Sequence, residues 1–187
     1  TVVLHYDNGI FSLGATRGDG SVGEDITANL RTILSLPLRI PVLPTSNPVP
    51  EHIVFRGEVF ITKADFQALN AELEEKGEKA YLNPRNTAAG SLRQLDPAIT
   101  ATRPLKFYLY QVLESSEPLP QTQSGILDYI ASFGLPVNPL RWHAKNIDKV
   151  IQTCESEGLN RHKWAYDADG IVIKINDLQL LNALGYV

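Results

Sequence analysis

Residues 1–6 form an apolar run that reads as a strand, and residues 10–16 read as the strand returning from it. Between them stands Asp7-Asn8-Gly9, and Asn-Gly tolerates positive φ at both centres of a tight turn, so the pattern predicts a β-hairpin. After a glycine-rich loop, Ile26, Leu30 and Ile33 fall at helical spacing. Glu24 and Asp25 stand where that helix would start, complementing its dipole. Residues 37–50 are proline-dense without a helical period and read as strand ends plus loop. Residues 52–61 are a second clear strand. Thr62 followed three residues later by Asp65 resembles a capping pair; Phe66, Leu69 and Leu73 supply a buried stripe, and Gly77 a stop.

Beyond Gly77 lies a polar, small-residue segment, YLNPRNTAAGSLRQLD (81–96), that reads as a turn into a helix. KFYLYQV (106–112) is aromatic and branched, hence a strand. Ile126, Ile130 and Phe133 predict a helix ending near Gly134, and Ile147, Val150 and Ile151 another. GIVIKI (170–175) reads as the last strand, followed by a short helix ending near Gly185. Strands and helices mix without strict alternation and the first pair is a hairpin, so the fold class is α+β rather than a doubly wound sheet.

Composition narrows the partners. The 187 residues are 43% hydrophobic and 20% charged, an ordinary globular balance in which one domain buries a sizeable core. The net charge of −4 argues against strong unaided nucleic-acid binding, which needs phosphate neutralisation, but leaves room for a local basic face. Cys154 is the one cysteine, so neither an internal disulfide nor a cysteine-built zinc site can form, and a reducing, cytoplasmic setting is expected. No apolar run reaches the ~20 residues of a membrane span. The absence of methionine, even at position 1, leads us to expect a piece of a longer protein.

Four segments are polar or glycine-rich where a core would want apolar residues. In TRGDGSVGED (16–25), glycines permit close backbone approach and Arg17 can bind phosphate or ribose through its planar fork; a surface turn explains the same residues. In FRGEVF (55–60), alternation puts Arg56, Glu58 and Phe60 on one face. A carboxylate there must be paired or bind a ligand, and a plain Arg56–Glu58 pair is the competing explanation. NPRNTAAGSLRQLD (83–96) offers Arg85 and Arg93 beside a helix amino terminus, either a phosphate site or a solvated loop with ion pairs. In DADGIVIK (167–174), Asp169 enters and Lys174 ends an apolar strand, with Gly170 leaving room for a flat ligand; a snorkelling lysine is the alternative.

Taken together and in order, TRGDGSVGEDIT, VFRGEVF, NPRNTAAGSLRQLDP and DADGIVIKIN resemble the bacterial NAD-dependent DNA ligases, over essentially the whole chain. ATP-dependent ligases and RNA capping enzymes share an Arg-Gly-Glu element and an Asp/Glu-Gly strand but lack the Asn-Pro-Arg-Asn segment. The resemblance implies a nucleotidyltransferase-type (ATP-grasp-like) domain with antiparallel sheets flanked by helices. It implies a cytoplasmic, monomeric enzyme of DNA replication and repair that adenylates itself with NAD, uses Mg²⁺, and seals 5′-phosphate/3′-hydroxyl nicks in duplex DNA.

Carried over by motif, Arg17, Glu58 and Lys174 bind the nucleotide, Arg85, Arg93 and Arg161 meet DNA, and Glu58 and Asp169 hold Mg²⁺. The family's Lys-x-Asp-Gly nucleophile has no match among residues 1–187, and Thr1 falls where the residues just after it belong. The family's Phe-Lys-Phe-Pro-type lysine strand falls beyond Val187. We therefore expect a partial adenylation domain, inactive alone and without a catalytic nucleophile. A catalytically dead nucleotide- or DNA-binding relative is the second expectation, and a structural α+β module a third.

Overall fold

A computed structural model describes residues 1–19, 22–41 and 48–185. Strands β1 (Val2–Asp7) and β2 (Ile10–Thr16) form the expected hairpin, with Asn8 and Gly9 both at positive φ (50° and 73°). Strands β3 (His52–Phe60) and β4 (Lys106–Ser115) complete one antiparallel sheet in the order β2-β1-β3-β4. The helices are α1 (Thr27–Leu30), α2 (Lys63–Glu75), α3 (Pro84–Leu92), α4 (Pro97–Ala101), α5 (Gln123–Ser132), α6 (Ile147–Asn160) and α7 (Leu178–Leu184). The fold is mixed α and β with an antiparallel sheet, as the element pattern predicts.

The pleat gives the sheet two different faces. One carries Leu4, Tyr6, Phe55, Phe107 and Leu109, all buried, and joins Ile26, Leu30, Leu92, Ile126, Ile130 and Phe133 in the main core. The opposite face carries Thr1, His5, His52, Arg56, Glu58, Tyr108 and Tyr110, and only part of it is covered. Asparagine and threonine side chains tie the helical layer together: Asn29 Nδ2 donates to the Gln94 carbonyl and to Thr100 Oγ1, each at 2.8 Å, and Thr100 Oγ1 donates to the Ser91 carbonyl.

The capping pair of α2 forms as read: the Asp65 amide donates to Thr62 Oγ1 at 3.1 Å, and the Thr62 hydroxyl donates to Asp65 Oδ2 at 2.6 Å. Helix α5 gives way to Gly134, which takes φ 70°.

Three readings need correction. The helix expected through Ile33 stops at Leu30 and continues as tight turns (Thr32 N to Asn29 O, Ile33 N to Leu30 O), in which the Thr32 hydroxyl competes for the Asn29 carbonyl. Helix α6 exists, but its apolar stripe is not buried; Ile147 and Ile151 are 68% and 50% exposed. The third concerns GIVIKI, which is not a strand. Among the described residues none pairs with 171–175, and Val172 and Ile173 point into solvent. A β-favouring composition supplies propensity, whereas a strand also needs a neighbouring backbone to pair with. Of the proline-dense stretch, residues 42–47 lie outside the described residues, as do Gly20 and Ser21 of the glycine-rich loop.

Candidate functional site

Register puts the site together. Glu58 lies opposite Tyr108 and Arg56 opposite Gln111, so the open face of β3 meets the polar and aromatic side chains of β4. Gly57 makes this approach possible, because a Cβ there would lie 2.6 Å from the Tyr108 carbonyl oxygen and 2.7 Å from Leu109 Cδ2. The glycine of FRGEVF therefore serves strand packing, while its two charged neighbours face outward.

Tyr110 is the hub of that face. Burial raises its phenol pKa, a hydrogen bond with Thr1 opposes the rise, and the charges of Glu58, Arg56 and Arg17 all act on it. Lys174 Nζ sits 4.9 Å from the centre of the Tyr110 ring, a cation–π contact. Thus Lys174 contacts the Tyr110 ring directly, and the charges of Glu58, Arg56 and Arg17 reach its phenol. Protein packed around the Lys174 ammonium, and then the positive charge of Arg56, lower its pKa. Three cations and one carboxylate around an aromatic ring form a surface that favours an anion carrying a flat group.

Glu58 does not pair with Arg56. Its Oε2 accepts from the Thr1 hydroxyl at 2.7 Å. Arg56 Nη1 donates to Gln111 Oε1 at 3.4 Å, and its Nε is buried with no partner among the described residues. The local ion pair weighed from the sequence does not form, and among the described residues Arg56 makes no ion pair.

The segment bearing Lys174 is anchored at both ends. Upstream, the Lys63 amide donates to the Ala165 carbonyl at 2.8 Å, and Lys63 Nζ lies 3.6 Å from Asp167. Downstream, Gln123 N and Ser124 N donate to the Asn176 carbonyl and side-chain oxygen, at the start of α5. Between the anchors runs a cleft of ≈ 710 Å³ walled by Tyr110, Trp142, Tyr166, Ile171 and Lys174. It touches the charged cluster at Tyr110 and Lys174 only; Arg17, Arg56 and Glu58 do not line it. Beside Glu58, the rings of Phe60, Tyr108 and Tyr166 pack in tilted and edge-on pairs with centroids 4.8 to 6.1 Å apart.

The remaining expected residues lie outside this cluster. Arg85, at the start of α3, bridges to Asp169 at 2.7 Å, and Arg93 to Glu24 at 3.1 Å, all four side chains well exposed. Arg161 is exposed, and its carbonyl accepts from Lys63 Nζ and from the Trp164 amide. Among the described residues no three His, Cys, Asp or Glu side chains converge on a metal position, and the Asp169 carboxylate is held by Arg85. Tyr110, Thr1 and the unpaired state of Arg56 were missed from the sequence. Alternation in KFYLYQV does put Tyr108 and Tyr110 on one face, but which residues they would meet depends on register.

A half-open antiparallel sheet whose exposed face presents cations, carboxylates and aromatic rings is chemically suited to an anionic ligand that carries a flat group. Comparison with known proteins makes the assignment specific. The chain belongs to the NAD-dependent DNA ligase adenylation domain family, whose model matches residues 1–187. It is 48% identical over 184 residues to a DNA ligase of Xanthobacter autotrophicus, and 44% identical over 183 residues to DNA ligases of Brucella canis and Brucella suis. Each match covers 98% of this chain and 25% of the relative, so the chain spans about a quarter of the length of these curated relatives. Among the described residues no helix is long and apolar enough to cross a membrane.

Proposed function

We propose that this chain forms the ribose- and phosphate-binding part of the adenylation centre of an NAD-dependent DNA ligase, on a nucleotidyltransferase-type (ATP-grasp-like) scaffold. The observation that carries the reading is Lys174 over the Tyr110 ring, with the charges of Glu58, Arg56 and Arg17 acting on the same phenol. In the parent enzyme AMP passes from NAD to a lysine outside these 187 residues, then to the 5′-phosphate of a nick that the 3′-hydroxyl seals. The chain contributes binding and charge stabilisation to that chemistry. A flat adenine suits the Tyr110 ring, vicinal ribose hydroxyls suit the Glu58 carboxylate, and the phosphate suits the arginines and Lys174.

Mg²⁺ fits the same place in a limited way. Magnesium is held by one or two carboxylates plus substrate phosphates and water, and Glu58 supplies one carboxylate. Asp169 joins it only by exchanging its exposed bond to Arg85. Nicked duplex DNA would be met by Arg85, Arg93 and Arg161. The partners of the first two are exposed carboxylates held in high dielectric, readily replaced by backbone phosphates. We place the parent enzyme in the cytoplasm as a monomer serving replication and repair, in keeping with a single cysteine.

Two measurements test this reading. Intact mass after incubation of the chain with NAD and Mg²⁺ should show no added AMP; a stable adduct on a defined lysine would place the nucleophile within these residues and refute the division of labour. In the parent ligase, Glu58→Gln should slow single-turnover adenylation by about 10²-fold or more while its urea transition stays cooperative, because a preorganised charged contact is lost. Wild-type adenylation in that variant removes Glu58 from the centre.

A further inference from the structure

Lys63 stands where a lysine is out of place. It is the first residue of α2, and the positive end of a helix dipole disfavours a cation there. Acceptors from far along the chain offset this. Nζ donates to the His162 carbonyl at 3.3 Å and to the Arg161 carbonyl at 3.5 Å, and lies 3.6 Å from Asp167 Oδ1. An ammonium carries three N–H donors, and three acceptors surround this one. Arg161 and His162 belong to the 3-10 turn Arg161–Lys163 that follows α6, and carbonyls at a helix end favour a cation. One lysine at the start of α2 thus acts as the cation at the end of α6. Its amide adds a further bond, to the Ala165 carbonyl at 2.8 Å.

Behind Lys63 the chain has no loose joint. Strand β3 ends at Phe60, the Ile61 side chain is buried in the core, and Thr62 caps α2 through the Asp65 amide. Asp65 in turn lies 2.9 Å from Nζ of Lys106, the first residue of β4. Lys63 is therefore carried by the same two strands as Glu58 and Tyr110. Ahead of it, the segment it holds leads through Asp169 to Lys174, and among the described residues 171–175 make no backbone pairing. Within that segment the Tyr166 ring packs 5.2 Å from the Phe60 ring, and its hydroxyl accepts from Asn138 Nδ2 at 2.6 Å. Those contacts are a rival anchor, but they hold a single side chain. Lys63 binds the carbonyls of Arg161, His162 and Ala165 and the Asp167 carboxylate, on both sides of Tyr166.

We propose that Lys63 is a positioning residue of the nucleotide centre. It fixes the upstream end of the segment that presents Lys174 against the strands that present Glu58 and Tyr110. This role presupposes that Glu58 and Lys174 bind one nucleotide, ribose at the first and phosphate at the second. The gap between the two walls then decides whether one molecule meets both at once. Without the tether Lys174 keeps its chemistry but is spread over more positions, so binding weakens more than the chemical step.

Two variants test the proposal: Lys63→Met, which removes the charge at similar length, and Lys63→Arg, which keeps the charge. In the 187-residue chain, initial tryptic cleavage after Arg161 and Lys163, read by mass, should quicken about 2–5-fold in Lys63→Met, the scale of one exposed charged contact. Lys63→Arg should cleave at the parent rate. In the parent ligase, the NAD concentration that half-saturates single-turnover adenylation should rise by about the same 2–5-fold in Lys63→Met at a nearly unchanged maximal rate, and return to the parent value in Lys63→Arg. A lysine that only stabilised the fold would shift the urea midpoint and leave half-saturation where it was. Should Lys63→Met lose its cooperative urea transition, Lys63→Ala takes its place. Parent-like cleavage in Lys63→Met, or failure of Lys63→Arg to restore either measure, overturns the proposal. Faster cleavage with unchanged half-saturation overturns it too, and Lys174→Met then shows which premise failed. Weakened NAD saturation in Lys174→Met leaves the nucleotide centre standing without Lys63; parent-like saturation removes Lys174 from that centre.

Discussion

Replacing Gly57 by alanine probes the join between fold and site. The added Cβ would stand 2.6 Å from the Tyr108 carbonyl oxygen, against an ordinary contact floor of 3.4 Å, so the two strands must part locally by 0.8 Å (3.4 minus 2.6). The obstacle is ladder backbone, and the second clash is with the fully buried Leu109, so neither side yields cheaply. Overpacking of this kind costs about 1–3 kcal/mol, while alanine recovers about 0.4–1 kcal/mol by restricting the unfolded chain. The net loss is about 1–2 kcal/mol, or about 2–8 °C in Tm for a chain of this size. Urea melts should show a lower midpoint with an unchanged slope. In the parent ligase adenylation should also fall, because parting β3 from β4 moves Glu58 away from Tyr108 and Tyr110. Gly90 is the control: a Cβ there meets nothing within 4 Å, so Gly90→Ala in helix α3 should stabilise by about 0.5–1 kcal/mol. A Gly57→Ala midpoint equal to or above the parent's would refute the close-approach argument.

Three further outcomes follow from groups outside the charged cluster. Tyr6 is fully buried, its hydroxyl donates to the Pro37 carbonyl at 2.8 Å, and burial raises its pKa. The unfolded phenol ionises first, so stability falls as pH climbs past ~10 toward the folded value; Tyr6→Phe should cost about 1 kcal/mol at pH 7 and flatten that alkaline decline in urea melts. Asp65 is held below its usual pKa by the Thr62 hydroxyl and then by Lys106, so its stabilisation is present above ~3.9 and is lost as pH falls through the folded value. Asp65→Asn should therefore destabilise at pH 7 by about 0.5–1 kcal/mol and have little effect at pH 3, measured by the same melts. Asn29→Ala breaks both bonds to Gln94 and Thr100 in a buried setting and should cost about 1–3 kcal/mol in urea unfolding.

What could be read from the residues were the features whose causes are local. The hairpin follows from Asn8-Gly9, the start of α2 from Thr62 and Asp65, and the outward face of β3 from simple alternation through Arg56 and Glu58. The fold class follows from the order of such elements. What escaped depends on pairing across the chain. Nothing in GIVIKI says whether another backbone lies beside it. Nothing in FRGEVF says that Glu58 accepts from the Thr1 hydroxyl while Arg56 turns to Gln111. Tyr110 gains its place only once β3 and β4 are in register.

Among the described residues, the backbone of 171–175 stands apart from the sheet that carries Glu58 and Tyr110. Among the described residues none of their amides has a hydrogen-bond acceptor, whereas Arg56, Glu58 and Tyr110 belong to paired strands. Amide hydrogen exchange should therefore be near its intrinsic rate around Lys174 and slow across the sheet, where it waits on large-scale opening. One wall of the proposed centre is thus part of the paired sheet, and the other is held by its two anchors and by the Lys174 contact with Tyr110. On the proposed reading, a contact that paired the backbone of these five residues would slow their exchange and tighten nucleotide binding without touching the nucleotide.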